Sequence, residues 1–163
     1  MRLLRHLFAR SARSLFPEDS LHRIADAIAA GERRHTGEVM FAVESELTLG
    51  QLLRKVQARD RAMDAFARLR AWDTEANNGV LVYLLLADHR IEIVADRGLS
   101  GKVSAEQWRG VCQLMEERLQ AGEPEAAAIR GVDAVADLLA AHFPQNGDGP
   151  DIDELPNLPR ILD

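Results

Sequence analysis

Behind Pro17, a residue suited to the first position of a helix, Leu21, Ile24, Ala25, Ile28 and Ala29 recur at helical spacing. This first long helix is expected to end near residues 31–35. Gly37 then opens a strand in which Val39, Phe41 and Val43 alternate with Glu38, Met40, Ala42 and Glu44. Thr48 is placed to cap a longer helix whose buried side carries Leu49, Leu52, Leu53, Val56, Met63, Phe66 and Leu69. Residues 80–87 (VLVYLLLA) are apolar throughout and read as a central strand covered on both faces. After the polar break Asp88-His89, residues 90–96 (RIEIVAD) alternate again, which makes the pair a hairpin. Ser104 and Gln107 have capping-box spacing, followed by Trp108, Val111, Cys112, Met115 and Leu119 on one helical face. Glu123-Pro124 starts a last helix with Ile129, Val132, Val135, Ala136, Leu138 and Leu139. Beyond Phe143-Pro144 the chain becomes Gly-, Asp- and Pro-rich, the composition of an extended or mobile tail.

The order helix, strand, helix, strand, strand, helix, helix defines an α/β fold. The strand-helix-strand unit predicts a parallel pair with a right-handed crossover, and the hairpin adds an antiparallel neighbour. A mixed central sheet of three or four strands follows, flanked by helices on both faces in a single-domain sandwich. With Asp88 and His89 as a two-residue turn, Leu81 faces Asp96 and Gly79 faces Gly98. The loop of residues 72–78 then lies beside Asp96, Arg97 and Gly98, and a parallel first strand brings Glu38 and His35 to the same edge. One rim thus collects Asp73, Glu75, Asn77, Asn78, Asp96 and Glu38. Carboxylates and amide oxygens without thiols suit calcium or magnesium better than zinc. The structural alternative is ordinary turn chemistry, since Asn77, Asn78 and Gly79 tolerate positive φ.

Composition narrows the reading. With 47% hydrophobic and 28% charged residues the chain is globular, and its 163 residues suit one domain. Cys112 stands alone, which excludes an internal disulfide framework or a Cys-rich zinc module. A formal charge of −6 argues against a nucleic-acid partner. The charge is unevenly spread: residues 1–16 hold four Arg and no acid, whereas residues 145–163 hold five acids against Arg160. Three segments follow: a basic amphipathic stretch at 1–16, a domain at 17–144 and an acidic tail at 145–163. Arg5, His6, Arg10 and Arg13 interrupt every apolar run of the first segment, so it lacks the roughly 7–15 apolar residues of a secretory signal. No run approaches the ~20 apolar residues of a membrane span. The expected location is cytoplasmic. Leu3, Leu4, Leu7 and Phe8 share one face of a basic amphipathic helix, which would rest on an anionic membrane or dock on the domain itself.

Other chemistry is sparse. Cys112 lies on an apolar helical face and reads as a structural thiol rather than a nucleophile. His6, His22 and His89 have no visible partner in the sequence. Trp72 and Trp108 are expected in the core, and Arg59-Asp60-Arg61 on a solvated helix face. No phosphate-binding glycine loop or nucleophile elbow is present.

At the rim residues the sequence resembles the TPM domain family. The resemblance rests on FARLRAW at 66–72 and NNGVLVYLLLADHRIEIVADRGL at 77–99, and continues through Trp108 and Gly131-Val132-Asp133. FPEDSLHRIADAI, ERRHTGEVMFAVE and the tail ELPNLPRILD resemble the short cytoplasmic bacterial form. The resemblance implies a compact sandwich with a Rossmann-like sheet. It implies divalent-metal binding near the loops flanking the central strands, with Asp73, Asn77, Asn78 and Asp96 as ligands, and it brings a phosphatase activity attributed to plant relatives. Two function classes stay open. One is a calcium- or magnesium-binding accessory module acting through a protein partner. The other is a metal-dependent phosphatase-like hydrolase built around Asp73 and Asp96, with Arg97 as a phosphate contact.

Overall fold

The computed structural model describes residues 1–147 and 154–163. Two short helices, α1 (Arg2–Leu7) and α2 (Ala12–Leu15), precede the long α3 (Glu18–Glu32). Strand β1 (Glu38–Glu44) leads through α4 (Leu49–Leu53) and α5 (Ala58–Arg68) to β2 (Gly79–Leu85) and β3 (Arg90–Ala95). A 3-10 turn (Arg97–Leu99), α6 (Ala105–Gln120), α7 (Pro124–His142) and β4 (Arg160–Ile161) complete the order. The sheet runs β3-β2-β1-β4, with β1 parallel to β2 and β4 and with β2 antiparallel to β3. Among the described residues no helix is long and apolar enough to cross a membrane.

Every residue of β1 and β2 is buried, and strand alternation divides them between two cores. Val39, Phe41, Val43, Val80, Val82 and Leu84 pack with Ile24, Ile28, Met115, Val132, Val135 and Leu139 of α3, α6 and α7. Met40, Ala42, Leu81, Tyr83, Leu85 and Val94 meet Ala58, Ala62 and Ala65 of α5 on the other face. The expected α/β sandwich is therefore present. The expected capping box of Ser104 with Gln107 forms, and Thr48 caps its helix in a second box with Gln51.

The helix expected to run on from Thr48 is instead broken in two. Lys55 turns into the left-handed region (φ 58°), and the Asp60 carboxylate accepts the Gln57 N–H at 2.8 Å to start α5. The break frees Leu49, Leu53 and Met63 from the core, leaving them exposed. Small Ala58, Ala62 and Ala65 form the buried stripe instead, while Phe66 and Leu69 flank it. Trp72, expected inside, is 47% exposed and lies under the Arg70 guanidinium, 5.6 Å from its ring centroid.

The hairpin register is two residues off the expected one. Leu81 faces Val94, and Leu85 faces Arg90. A two-residue turn of the favoured type needs positive φ at both positions, and of Asp88 and His89 only His89 has it (φ 51°). The connection is four residues long because Leu86 and Ala87 still follow β1, donating to Glu44 O and Ser45 O at 3.0 Å each. A shift of two keeps each side chain on its expected face.

Buried polar groups beyond the C-terminal ends of β1 and β2 are fully paired. Glu44 accepts from the Tyr83 hydroxyl and from two nitrogens of Arg61, at 3.1 and 2.7 Å. Burial, then the Glu44 hydrogen bond, pushes the Tyr83 hydroxyl far above its ordinary pKa. Arg61 thus sits largely inside rather than on a solvated face. Ser45 Oγ accepts Ala12 N–H at 2.7 Å and donates to Asp163 at 2.6 Å, while Ser45 N–H donates to the same carboxylate at 2.7 Å. Asp88 binds Arg2 at 2.6 Å and His6 at 3.0 Å, and His6 Nδ1 accepts Leu47 N–H at 2.9 Å. His6 therefore has the partner its sequence context conceals. The tail described here is extended but held: Arg160 pairs with Ala42, and Ile161 with Val43.

Candidate functional site

Gly79 organises the rim at the other end of the sheet. It lies opposite Glu38 on β1, and its carbonyl accepts the Asp96 N–H at 2.9 Å. Strand parity places Glu38 with Met40 and Asp96 with Val94, so both carboxylate residues belong to the α5 face on either side of Gly79. A Cβ at Gly79 would lie 1.9 Å from Ala71 O, so only glycine lets the loop before β2 cross this closely. Gly98 repeats the device. Its N–H donates to Asn77 O at 2.8 Å, and a Cβ there would come within 2.4 Å of that oxygen and 2.6 Å of Ala76 O. Asn77 supplies the left-handed residue of this loop at φ 51°, the role its amide chemistry predicts.

Two buried groups at this rim have unused hydrogen-bonding atoms. The Asn78 side chain is 0% exposed, and neither Oδ1 nor Nδ2 has a partner among the described residues. Its backbone is fully engaged: N–H to Thr74 Oγ1 at 3.1 Å, and carbonyl to Glu38 N–H at 3.4 Å. Asp96 Oδ1 accepts Arg97 N–H at 2.8 Å and caps the 3-10 turn, while buried Oδ2 has no partner among the described residues. A buried polar atom left unpaired costs about 1–3 kcal/mol.

The tail reaches the same rim. Glu38 Oε1 accepts Glu154 N–H at 3.0 Å, and Glu154 Oε2 accepts Glu75 N–H at 3.0 Å. Asn157, between this strap and β4, has a third unpartnered buried oxygen. Glu154 and Asn157 escaped the sequence reading because a Gly-, Asp- and Pro-rich tail looks like an appendage. The only local cue is the apolar Ile161-Leu162 that follows, able to hold the segment against a sheet.

Of the residues singled out from sequence, Glu38 and Asp96 share one face at the start of β1 and β2, while Asn78, next to Gly79, has the opposite parity. Asn77 and Glu75 join through their backbones. Asp73 points elsewhere: it is half-exposed and ion-paired with Arg70 at 2.7 Å. Arg97 is exposed beside Asp96. His35 is fully buried before β1, where its backbone bridges Pro144. Among the described residues no three His, Cys, Asp or Glu side chains form a metal-binding group, so any cation here would draw on amide and backbone oxygens as well.

The sequence model of the TPM domain family matches residues 11–138, including the whole of β1, β2 and β3. Among solved structures, the BA42 protein of the psychrophilic bacterium Bizionia argentinensis is similar at 29% identity and a TM-score of 0.76. That match covers 88% of this chain and 92% of that one. The N-terminal domain of a protein from P. gingivalis shares the fold at 16% identity and a TM-score of 0.64, with 82% of each chain covered. No curated protein matches the chain.

Proposed function

The chain belongs to the TPM domain family, and from that premise we propose that it is a divalent-cation-binding accessory module acting through a protein partner. The observation that carries this reading is the buried Asp96 Oδ2, which has no partner among the described residues and lies on the same face of the sheet as Glu38, across Gly79. Hard cations take carboxylate, amide and carbonyl oxygens, so calcium or magnesium is the ligand class. Asp96 and Glu38 would hold it, and a bound ion would repay the desolvation that the buried Asp96 oxygen bears without one. Cys112 supplies no thiolate nucleophile. Burial, reinforced by Glu92 and Glu116, pushes its thiol up to about 11.

Titrating calcium, magnesium and zinc into metal-free protein, followed by backbone amide NMR, tests the reading. Shifts confined to residues 73–79, 96–99 and the 154–157 strap are expected, strongest for calcium or magnesium and absent in Asp96→Asn. The absence of any shift at millimolar metal would overturn it. Saturating metal should also raise the unfolding free energy, by about 2.7 kcal/mol at a hundredfold excess over Kd. Retention of a partner by wild-type protein and its loss in Asp96→Asn tests the accessory role.

The phosphatase-like reading draws on one observation: Arg97 is exposed next to Asp96, and its guanidinium makes no ion pair among the described residues. Cation-dependent turnover of a phosphomonoester, lost in both Asp96→Asn and Arg97→Gln, would establish that reading over the accessory one.

A further inference from the structure

Helix α1 is amphipathic, yet it docks by its polar side. Arg2 and His6 are held by Asp88, Arg2 Nη2 also donates to Val56 O at 2.8 Å, and His6 takes the Leu47 N–H. This anchoring turns Met1, Leu3, Leu4, Leu7 and Phe8 outward, with Phe8 81% exposed. The same two bonds join α1 to both flanks of α4, a helix that buries none of its residues. Leu49 and Leu53 of α4 are likewise exposed. Seven of the eleven exposed large hydrophobic side chains described therefore lie on these two adjoining short helices. Scattered exposed apolar residues need no explanation, but a cluster of this kind does.

The charge around the cluster is opposite to that of the chain. Residues 1–16 and 46–56 carry Arg2, Arg5, Arg10, Arg13, Arg54 and Lys55 against one acid, Glu46, in a protein of net charge −6. Arg2 is spent on Asp88, and the other five basic side chains make no ion pair among the described residues. Arg5 and Arg10 line an apolar groove of about 580 Å³ with Met1, Leu4, Phe8 and Leu86. Large aliphatic groups ringed by uncompensated cations match an interface of hydrocarbon beneath anionic headgroups.

We propose that α1 and α4 form a docking surface for an anionic lipid bilayer. The apolar side chains enter the headgroup boundary, and Arg5, Arg10, Arg13, Arg54 and Lys55 meet the lipid phosphates. The surface lies at the end of the sheet opposite Gly79, so docking leaves the rim facing away from the membrane.

Sedimentation of the full chain with phosphatidylcholine vesicles, with and without phosphatidylglycerol, tests this. Binding only to the anionic vesicles, weakening as salt shortens the ~10 Å screening length of 0.1 M buffer, is expected. Arg5→Gln with Arg10→Gln should weaken binding about 30-fold. Leu7→Glu with Phe8→Glu should abolish it, while Leu114→Glu, an exposed position on α6, leaves it unchanged. Both double variants alter exposed side chains, and an unchanged circular-dichroism melt verifies that each is folded. No sedimentation with anionic vesicles, equal binding to neutral ones, or full binding by folded Leu7→Glu/Phe8→Glu protein each overturns the proposal. In the first case an acidic protein becomes the better candidate for this face.

Discussion

The two ends of the central sheet treat buried polarity in opposite ways. Beyond the C-terminal ends of β1 and β2, Glu44, Tyr83, Ser45 and Asp88 are all bonded, several of them more than once. At the start of the same strands, Asn78 and Asp96 keep buried atoms with no partner among the described residues. Packing does not account for the contrast, because the apolar residues between the ends are buried throughout β1 and β2. A fully paired network rigidifies, whereas a partly satisfied one stores free energy that a ligand can release. One end is closed by its pairings; the other keeps acceptors that have no partner among the described residues.

The largest expected effect lies at the paired end. Glu44→Ala removes the acceptor of both Tyr83 and the buried Arg61, and should cost about 3–5 kcal/mol in urea unfolding with little change in m-value. A loss no greater than that of an exposed Arg68→Ala variant would show that the network is not cohesive. Asp88→Asn should cost less, about 1–3 kcal/mol, and should release α1, visible as faster amide exchange over residues 2–7. Burial opposes the Asp88 charge, but hydrogen bonds from Arg2 and His6 outweigh it and hold its pKa below the usual carboxylate range. Its contribution is therefore complete above the ordinary aspartate pKa of about 3.9 and fades as pH falls through the lower folded value. Acid titration of the wild type should weaken α1 docking only in that acidic window, and Asp88→Asn should flatten the dependence.

The smallest effect has the opposite sign and sharpens the contrast most. Asn78→Leu replaces a buried amide, unpaired among the described residues, by an apolar group of similar size, and should raise metal-free stability by about 1 kcal/mol while leaving the calcium stabilisation carried by Asp96 in place. Thermal melts with and without calcium measure both. Destabilisation of the metal-free protein by Asn78→Leu would mean that the two ends do not differ in kind.

Much of this arrangement was legible because it is local. Alternation in residues 39–43 and the apolar run in 80–85 set the strands, and Ser104 with Gln107 set the start of α6. Asn77, Asn78 and Gly79 read as turn chemistry, and the structure gives Asn77 the left-handed φ while Gly79 takes the close crossing of the loop. What escaped depends on distance along the chain or on backbone detail. His6 finds Asp88 82 residues away, and Glu154 finds Glu38 across 116 residues, separations that no periodicity records. The α4–α5 break hinges on one left-handed lysine, and large apolar residues drew attention from the alanines that pack. Asp73, one of the six rim residues, is ion-paired with its neighbour Arg70.

Ser45 imposes an order in time. During synthesis it leaves the ribosome 118 residues before Asp163, the group that receives both its N–H and its hydroxyl proton. At about 5–20 residues per second this is a wait of roughly 6–24 s. Until Arg160 and Ile161 arrive, the nascent β1 lacks its neighbour on one side, and the apolar stretch around Phe41 presents an unpaired edge. Glu32 accepts the Val39 N–H in the meantime, at 3.2 Å. A segment translated 118 residues after Ser45 is thus the one that closes the sheet, and slowing its delivery exposes the young chain to edge-to-edge aggregation.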